Sequence, residues 1–85
     1  MALDILYFAW VREAVGRGAE TRDPPADVTT VAALIDWLRR QSAAHEAALA
    51  DVTRLRAAVD QQFVPLDASI IGAREVALFP PVTGG

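Results

Sequence analysis

The segment "DVTTVAALIDWLRRQ", Asp27 to Gln41, carries the strongest periodic signal in the chain. Val31, Leu34, Ile35 and Leu38 stand at i, i+3, i+4 and i+7, a spacing that lines up four apolar side chains on one face of an α-helix. Thr29 or Thr30 is placed to cap the first turn with its side-chain oxygen. Arg39 and Arg40 fall where the negative end of the helix dipole favours cations. Such a helix has one face to bury, and the segments on either side of it indicate a sheet as the surface it covers.

Working outward, "LDILYFAWV" (Leu3 to Val11) is apolar on both faces and rich in aromatic and aliphatic side chains, which predicts a central strand. Gly16 and Gly18 mark a break after a short helical turn, "VREAVG". "GAETRD" predicts a polar edge strand that ends at Pro24-Pro25. Beyond the helix, "HEAALADV" reads as a further short helical turn, and "LRAAVDQQFVPLD" as two short strands around a turn near Asp60 to Gln62. "EVALFP" is the last strand, with Val76 and Leu78 on one face and Ala77 and Phe79 on the other. The most apolar strands are the first and the last, so they should lie side by side. Most of the chain separates them, which suits a parallel pairing. The expected fold class is α+β: a β-grasp, ubiquitin-like roll in which a mixed sheet carries one main helix on one face. Residues 1–79 form its body, and 80–85 an extended C-terminal tail.

The sequence is 85 residues long, which suits a single domain with one core. Its hydrophobic share of 53% is far above that of a disordered chain. There is no cysteine, so disulfides and thiolate metal sites are excluded. A net charge of −3, with no basic run beyond Arg39-Arg40, argues against nucleic acid as a partner. No apolar run approaches the roughly 20 residues that span a bilayer, and the N-terminus lacks the pattern of a secretory signal; no membrane partner is expected, and the expected location is the cytoplasm. All 8 basic residues are arginine. GC-rich coding accounts for that.

The ending "FPPVTGG" raises a chemical question. Pro80 and Pro81 have no backbone donor, so the sheet ladder cannot run through them, and the six residues that follow Phe79 can extend about 20 Å. Gly84 and Gly85 cap no helix and serve no turn. Two glycines at a tip make a backbone thin enough for a narrow channel, and they leave the terminal carboxylate unshielded. A frayed end is the alternative. Phe8, Phe63 and Phe79 come from three strand candidates. If they share the face away from the helix they form an aromatic patch at the root of the tail; the alternative is the core, and the helix covering the opposite face favours the patch. Arg12 is a candidate partner contact, or a solvated residue beside Glu13. Trp10 and Trp37 read as core or core-edge residues. His45, the one histidine, reads as a solvated surface residue.

"LYFAWVREAVG" and "EVALFPPVTGG" together resemble the small, sulfur-carrying subunit family of molybdopterin synthase, and the resemblance covers essentially the whole chain. Two turns depart from the family pattern. Asp60 stands where an Asn is expected, and Gly72-Ala73-Arg74 replaces an Asp-Gly-Asp turn. The resemblance implies a carrier that binds no cofactor itself. A ubiquitin-activating-enzyme-like adenylyltransferase would consume ATP to adenylate the Gly85 carboxylate, sulfur would displace AMP, and the thiocarboxylate would enter the large catalytic subunit to sulfurate a cyclic pyranopterin precursor. It also implies a heterotetrameric complex whose large subunit holds the catalytic acids and bases. Phe8, Arg12, Phe63, Phe79, Pro80, Pro81, Val82 and Thr83 are then the expected partner contacts, with Gly84 and Gly85 as the reacting tip. No metal site is expected. A carrier for thiamine or another cofactor, or a ubiquitin-like protein modifier, remains open beside this reading.

Overall fold

A computed structural model describes residues 2–81. Along the chain run β1 (Leu3–Tyr7), α1 (Ala9–Val15), β2 (Ala19–Arg22), α2 (Val31–Arg39), α3 (Ala43–Leu49), a 3-10 turn (Val52–Arg54), β3 (Arg56–Val59), β4 (Gln62–Val64) and β5 (Glu75–Phe79). The sheet order is β2-β1-β5-β3-β4, with β1 and β5 parallel and every other neighbouring pair antiparallel. This is the expected β-grasp roll. The two apolar strands lie side by side at its centre, and the polar strand β2 occupies an edge.

Helix α2 forms as its periodicity dictates. Thr30 is its N-cap, its hydroxyl accepting from the Ala33 amide at 3.1 Å, and Val31, Leu34, Ile35 and Leu38 are all buried. They pack with Leu3, Ile5 and Tyr7 of β1 and with Val76 and Leu78 of β5 in one hydrophobic core. Burying a side chain of this size contributes about 1.5–3 kcal/mol, so this layer of helix on sheet is the main source of stability.

The first strand is shorter than the sequence predicts. Pairing stops at Tyr7, Phe8 stays extended as the N-cap, and Ala9 begins α1 with φ +55°. Apolar residues on both faces fit a central strand or a helix start equally well. What separates them is tertiary: as helix α1 the segment turns back over the sheet and seats Val11 and Val15, one turn apart, in the core. Gly16, at φ +92°, then ends α1 in the left-handed region that glycine adopts without strain. The sheet therefore carries three helices on one face, α2 the longest and the two short ones where the sequence suggested helical turns. Trp10 and Trp37 sit partly buried against the core, as expected.

Candidate functional site

The face of the sheet away from the helices is built by the pleat. In β5, Val76 and Leu78 point into the core while Ala77 and Phe79 point out. The register sets Leu6, Ala77, Ala58 and Phe63 in one row across β1, β5, β3 and β4. The middle of that row is two alanines, and their small side chains leave a shallow concavity of about 530 Å³. Phe8, Phe63, Phe79, Gln61 and Glu75 complete its lining. Phe63 is 81% exposed and Phe8 48%, and the rings of Phe63 and Phe79 lie 5.5 Å apart at 43°. The three phenylalanines thus share an exposed surface and are not core. An apolar concavity rimmed by aromatic rings marks a place for a partner.

This surface adjoins the tail. The Phe8 amide donates to the Leu78 carbonyl at 3.2 Å, extending the β1–β5 pairing to the point where Phe79 ends the strand and Pro80 and Pro81 follow. Val82, Thr83, Gly84 and Gly85, named from sequence as the distal tail and its tip, lie outside the described residues. Arg12 is not brought to the patch. Its guanidinium lies over Gly18, where an added Cβ would meet Cζ at 3.0 Å, and it lines a separate concavity with Glu13 and Arg17.

The turn at one side of the concavity explains how Asp60 serves in place of Asn. Asp60 and Gln61 have φ of +48° and +71°, the two-residue hairpin geometry with both central residues left-handed, which Asp tolerates better than most residues. The Asp60 carboxylate also accepts from the Arg74 and Glu75 amides at 2.9 and 3.0 Å, and its own amide donates to the Glu75 carbonyl. The β3–β4 hairpin is in this way tied to the start of β5, which holds Gln61 and Phe63 against the concavity.

His45 contradicts the sequence reading. It is 3% exposed rather than solvated, with Nε2 2.7 Å from Glu20 Oε2 and Nδ1 2.7 Å from Ser42 Oγ. The Tyr7 hydroxyl donates to the same Glu20 oxygen at 2.6 Å, and Arg22 Nε donates to the other at 2.6 Å. The missed signal was local: His45, Ala48 and Leu49 stand at i, i+3 and i+4, the buried stripe of α3. Burial by itself would raise the Glu20 carboxyl, but the bonds from Tyr7, His45 and Arg22 outweigh it and hold the pKa at about 2. The Tyr7 hydroxyl is pushed up, by burial first and by Glu20 second. Ser42 Oγ is already engaged as the α3 cap, accepting from the His45 amide, so the chain of contacts clamps β1, β2 and α3 together and does not present an activated nucleophile. Among the described residues there is no group of three or more side chains able to hold a metal ion, and no helix long and apolar enough to cross a membrane.

The model of the ThiS family matches residues 5–85. The chain belongs to the ThiS family. This ThiS-family chain is 45% identical over 83 residues to the molybdopterin synthase sulfur carrier subunit of Escherichia coli K12, spanning 98% of this chain and 99% of the relative. It is 34% identical over 83 residues to the subunit of the same name from Haemophilus influenzae, with the same coverage. Among solved structures, SAMP1 from Haloferax volcanii superposes with a TM-score of 0.72 over the full length of both chains at 24% identity, which speaks for the shared ubiquitin-like fold alone.

Proposed function

We propose that this chain is the sulfur-carrier subunit of a molybdopterin synthase. End-to-end relatedness to a sulfur carrier subunit at 45% identity carries the reading, since it spans the body and the "FPPVTGG" ending alike. The geometry supports it: a central strand runs straight into two prolines, and an apolar concavity at that root gives the body a surface to dock while the tail is inserted.

In this reading the Gly85 carboxylate attacks the α-phosphorus of ATP on a ubiquitin-activating-enzyme-like adenylyltransferase. Pyrophosphate leaves and an acyl adenylate forms. Sulfur at the sulfide level displaces AMP, giving a thiocarboxylate. The body then docks on the large subunit through Phe8, Phe63 and Phe79, and Pro80, Pro81, Val82 and Thr83 lead Gly84 and Gly85 into its active site. There the thiocarboxylate sulfur forms a C–S bond to a carbon of a cyclic pyranopterin phosphate as a C–O bond at that carbon breaks, giving a thioester. Water cleaves its acyl–S bond, leaving sulfur on the pterin and releasing the Gly85 carboxylate for another round, and two transfers complete the dithiolene. The carrier contributes the reagent and the docking surface, the large subunit the acids and bases, and the complex works in the cytoplasm as a heterotetramer.

Deleting Gly85 tests this. Intact mass after incubation with ATP, the activating enzyme and a sulfur source should show a gain of one sulfur in place of oxygen for the natural chain and none for the truncated one, and dithiolene synthesis should follow the same pattern. Wild-type product from the chain lacking Gly85 would end the proposal, and lysine-linked protein adducts in place of the thiocarboxylate would reassign the chain as a modifier.

A further inference from the structure

The open face of the sheet is charged unevenly along its strands. Asp4, Asp60 and Glu75, with Arg74 among them, gather where β5 begins. Arg56 stands at the other end, directly opposite Phe79 in the β3–β5 register, and Arg54 lies two residues before it at the end of the 3-10 turn. Glu75 and Phe79, at the two ends of β5, are four strand steps apart, about 13 Å.

Both arginines are oriented by contacts other than an ion pair, and Arg54 also interacts at longer range with the Asp51 carboxylate. The Arg54 guanidinium lies 4.4 Å from the centroid of the Trp10 ring. Arg56 Nη1 donates to the Leu55 carbonyl at 2.8 Å and reaches the Thr53 carbonyl at 3.4 Å. Neither forms an ion pair among the described residues, whereas Arg17, Arg22, Arg39 and Arg40 each meet a Glu or Asp. A stacked or carbonyl-bound guanidinium keeps donors directed outward, and it loses less freedom on meeting a carboxylate than a free side chain would.

We infer that Arg54 and Arg56 form a docking contact for carboxylates on the large synthase subunit, beside the entrance that takes the tail. The inference rests on the proposed function. It names the large subunit because Arg56 is continuous, through Phe79, with the aromatic concavity assigned to that partner. The acidic far end adds direction: a subunit approaching in reverse would bring its carboxylates against Asp4, Asp60 and Glu75, and like charges would reject that pose. Because both arginines are exposed, the contact acts on encounter rate and salt dependence more than on the lifetime of the complex.

The test is association of the full chain with separately purified large subunit, followed by stopped-flow fluorescence at low (about 0.05 M) and high (about 0.5 M) salt. The Arg54→Glu, Arg56→Glu double variant should associate at least roughly tenfold more slowly at low salt and within about twofold of the natural chain at high salt. The double replacement by Lys should restore most of the rate. Arg56→Glu alone, which leaves the Trp10 stack intact, should show a smaller loss of the same kind, so the inference stays testable if the double variant folds poorly. Phe63→Asp is the control for docking itself. If the charge-reversed chain associates at the natural rate with the natural salt dependence while Phe63→Asp fails, the inference is overturned and the docking face stands. Slowing seen with the activating enzyme but not with the large subunit overturns it as well. A natural chain that does not bind the large subunit takes both readings down together.

Discussion

Glu20 is a carboxylate in an edge strand of alternating half-exposed residues, yet its side chain is only 4% exposed and holds Tyr7, His45 and Arg22 at once. Its folded pKa of about 2 lies below its ordinary value of 4.5. The stability it contributes is therefore complete above that ordinary value and disappears as the pH falls toward 2. The shift sets an upper bound of about 3 kcal/mol, which solvent screening at the sheet edge reduces. Glu20→Gln should destabilise the natural chain at pH 7 by up to that amount and flatten the acid limb between about pH 4.5 and 2. Urea unfolding at a series of pH values measures both, and an unchanged acid limb in the variant would show that other carboxylates govern it.

Strand β4 is three residues long and lies at the sheet edge, with Phe63 at its centre. Phe63 is not part of the hydrophobic core, which is built from β1, β3, β5, the helices, Leu55 and Ile70, with Val64 rather than Phe63 as the β4 side chain packed against it. Phe63→Asp should therefore leave the circular dichroism spectrum and melting temperature close to natural. It should still weaken binding to the large subunit by about 2 kcal/mol or more, the range of a buried aromatic anchor. Phe79→Asp is a less clean probe. That ring is half-buried at the end of a central strand and packs on Phe63, so the variant should lose some stability as well as affinity. Calorimetric titration alongside thermal melts separates the two effects. A melting temperature for Phe63→Asp that falls by many degrees would show the ring to be part of the fold.

At the scale of the molecule, the proposed function divides the labour between body and tail. Among the described residues the core runs from Leu3 to Leu78, and in the proposed reading Gly84 lies beyond it, so replacing Gly84 by Val should leave the melting temperature unchanged. In the reconstituted reaction, the same variant should dock with nearly natural affinity and turn over far more slowly, because a side chain near the tip obstructs insertion rather than docking. Equal loss of binding and turnover would place Gly84 in the docking contact instead. Much of this was legible in the chain alone. Local periodicity specified α2, with Val31, Leu34, Ile35 and Leu38 as its buried stripe and Thr29 or Thr30 as its cap, of which the fold uses Thr30, and alternation in "EVALFP" specified both faces of β5. The proline pair marked where the ladder must stop, because a missing N–H is a property of the residue itself. Other features depend on which segments meet. Whether Leu3 to Val11 stays a strand was settled by α1 finding the core with Val11 and Val15, a choice that local apolarity leaves open. Arg12, a candidate for the partner surface, was carried away from it by the same helix. His45 became a buried clamp because β2 brings Glu20 to it across 25 positions of sequence, and no local pattern encodes a partner that distant. The concavity itself comes from strand register, which sets two alanines from separate strands side by side beneath three aromatic rings.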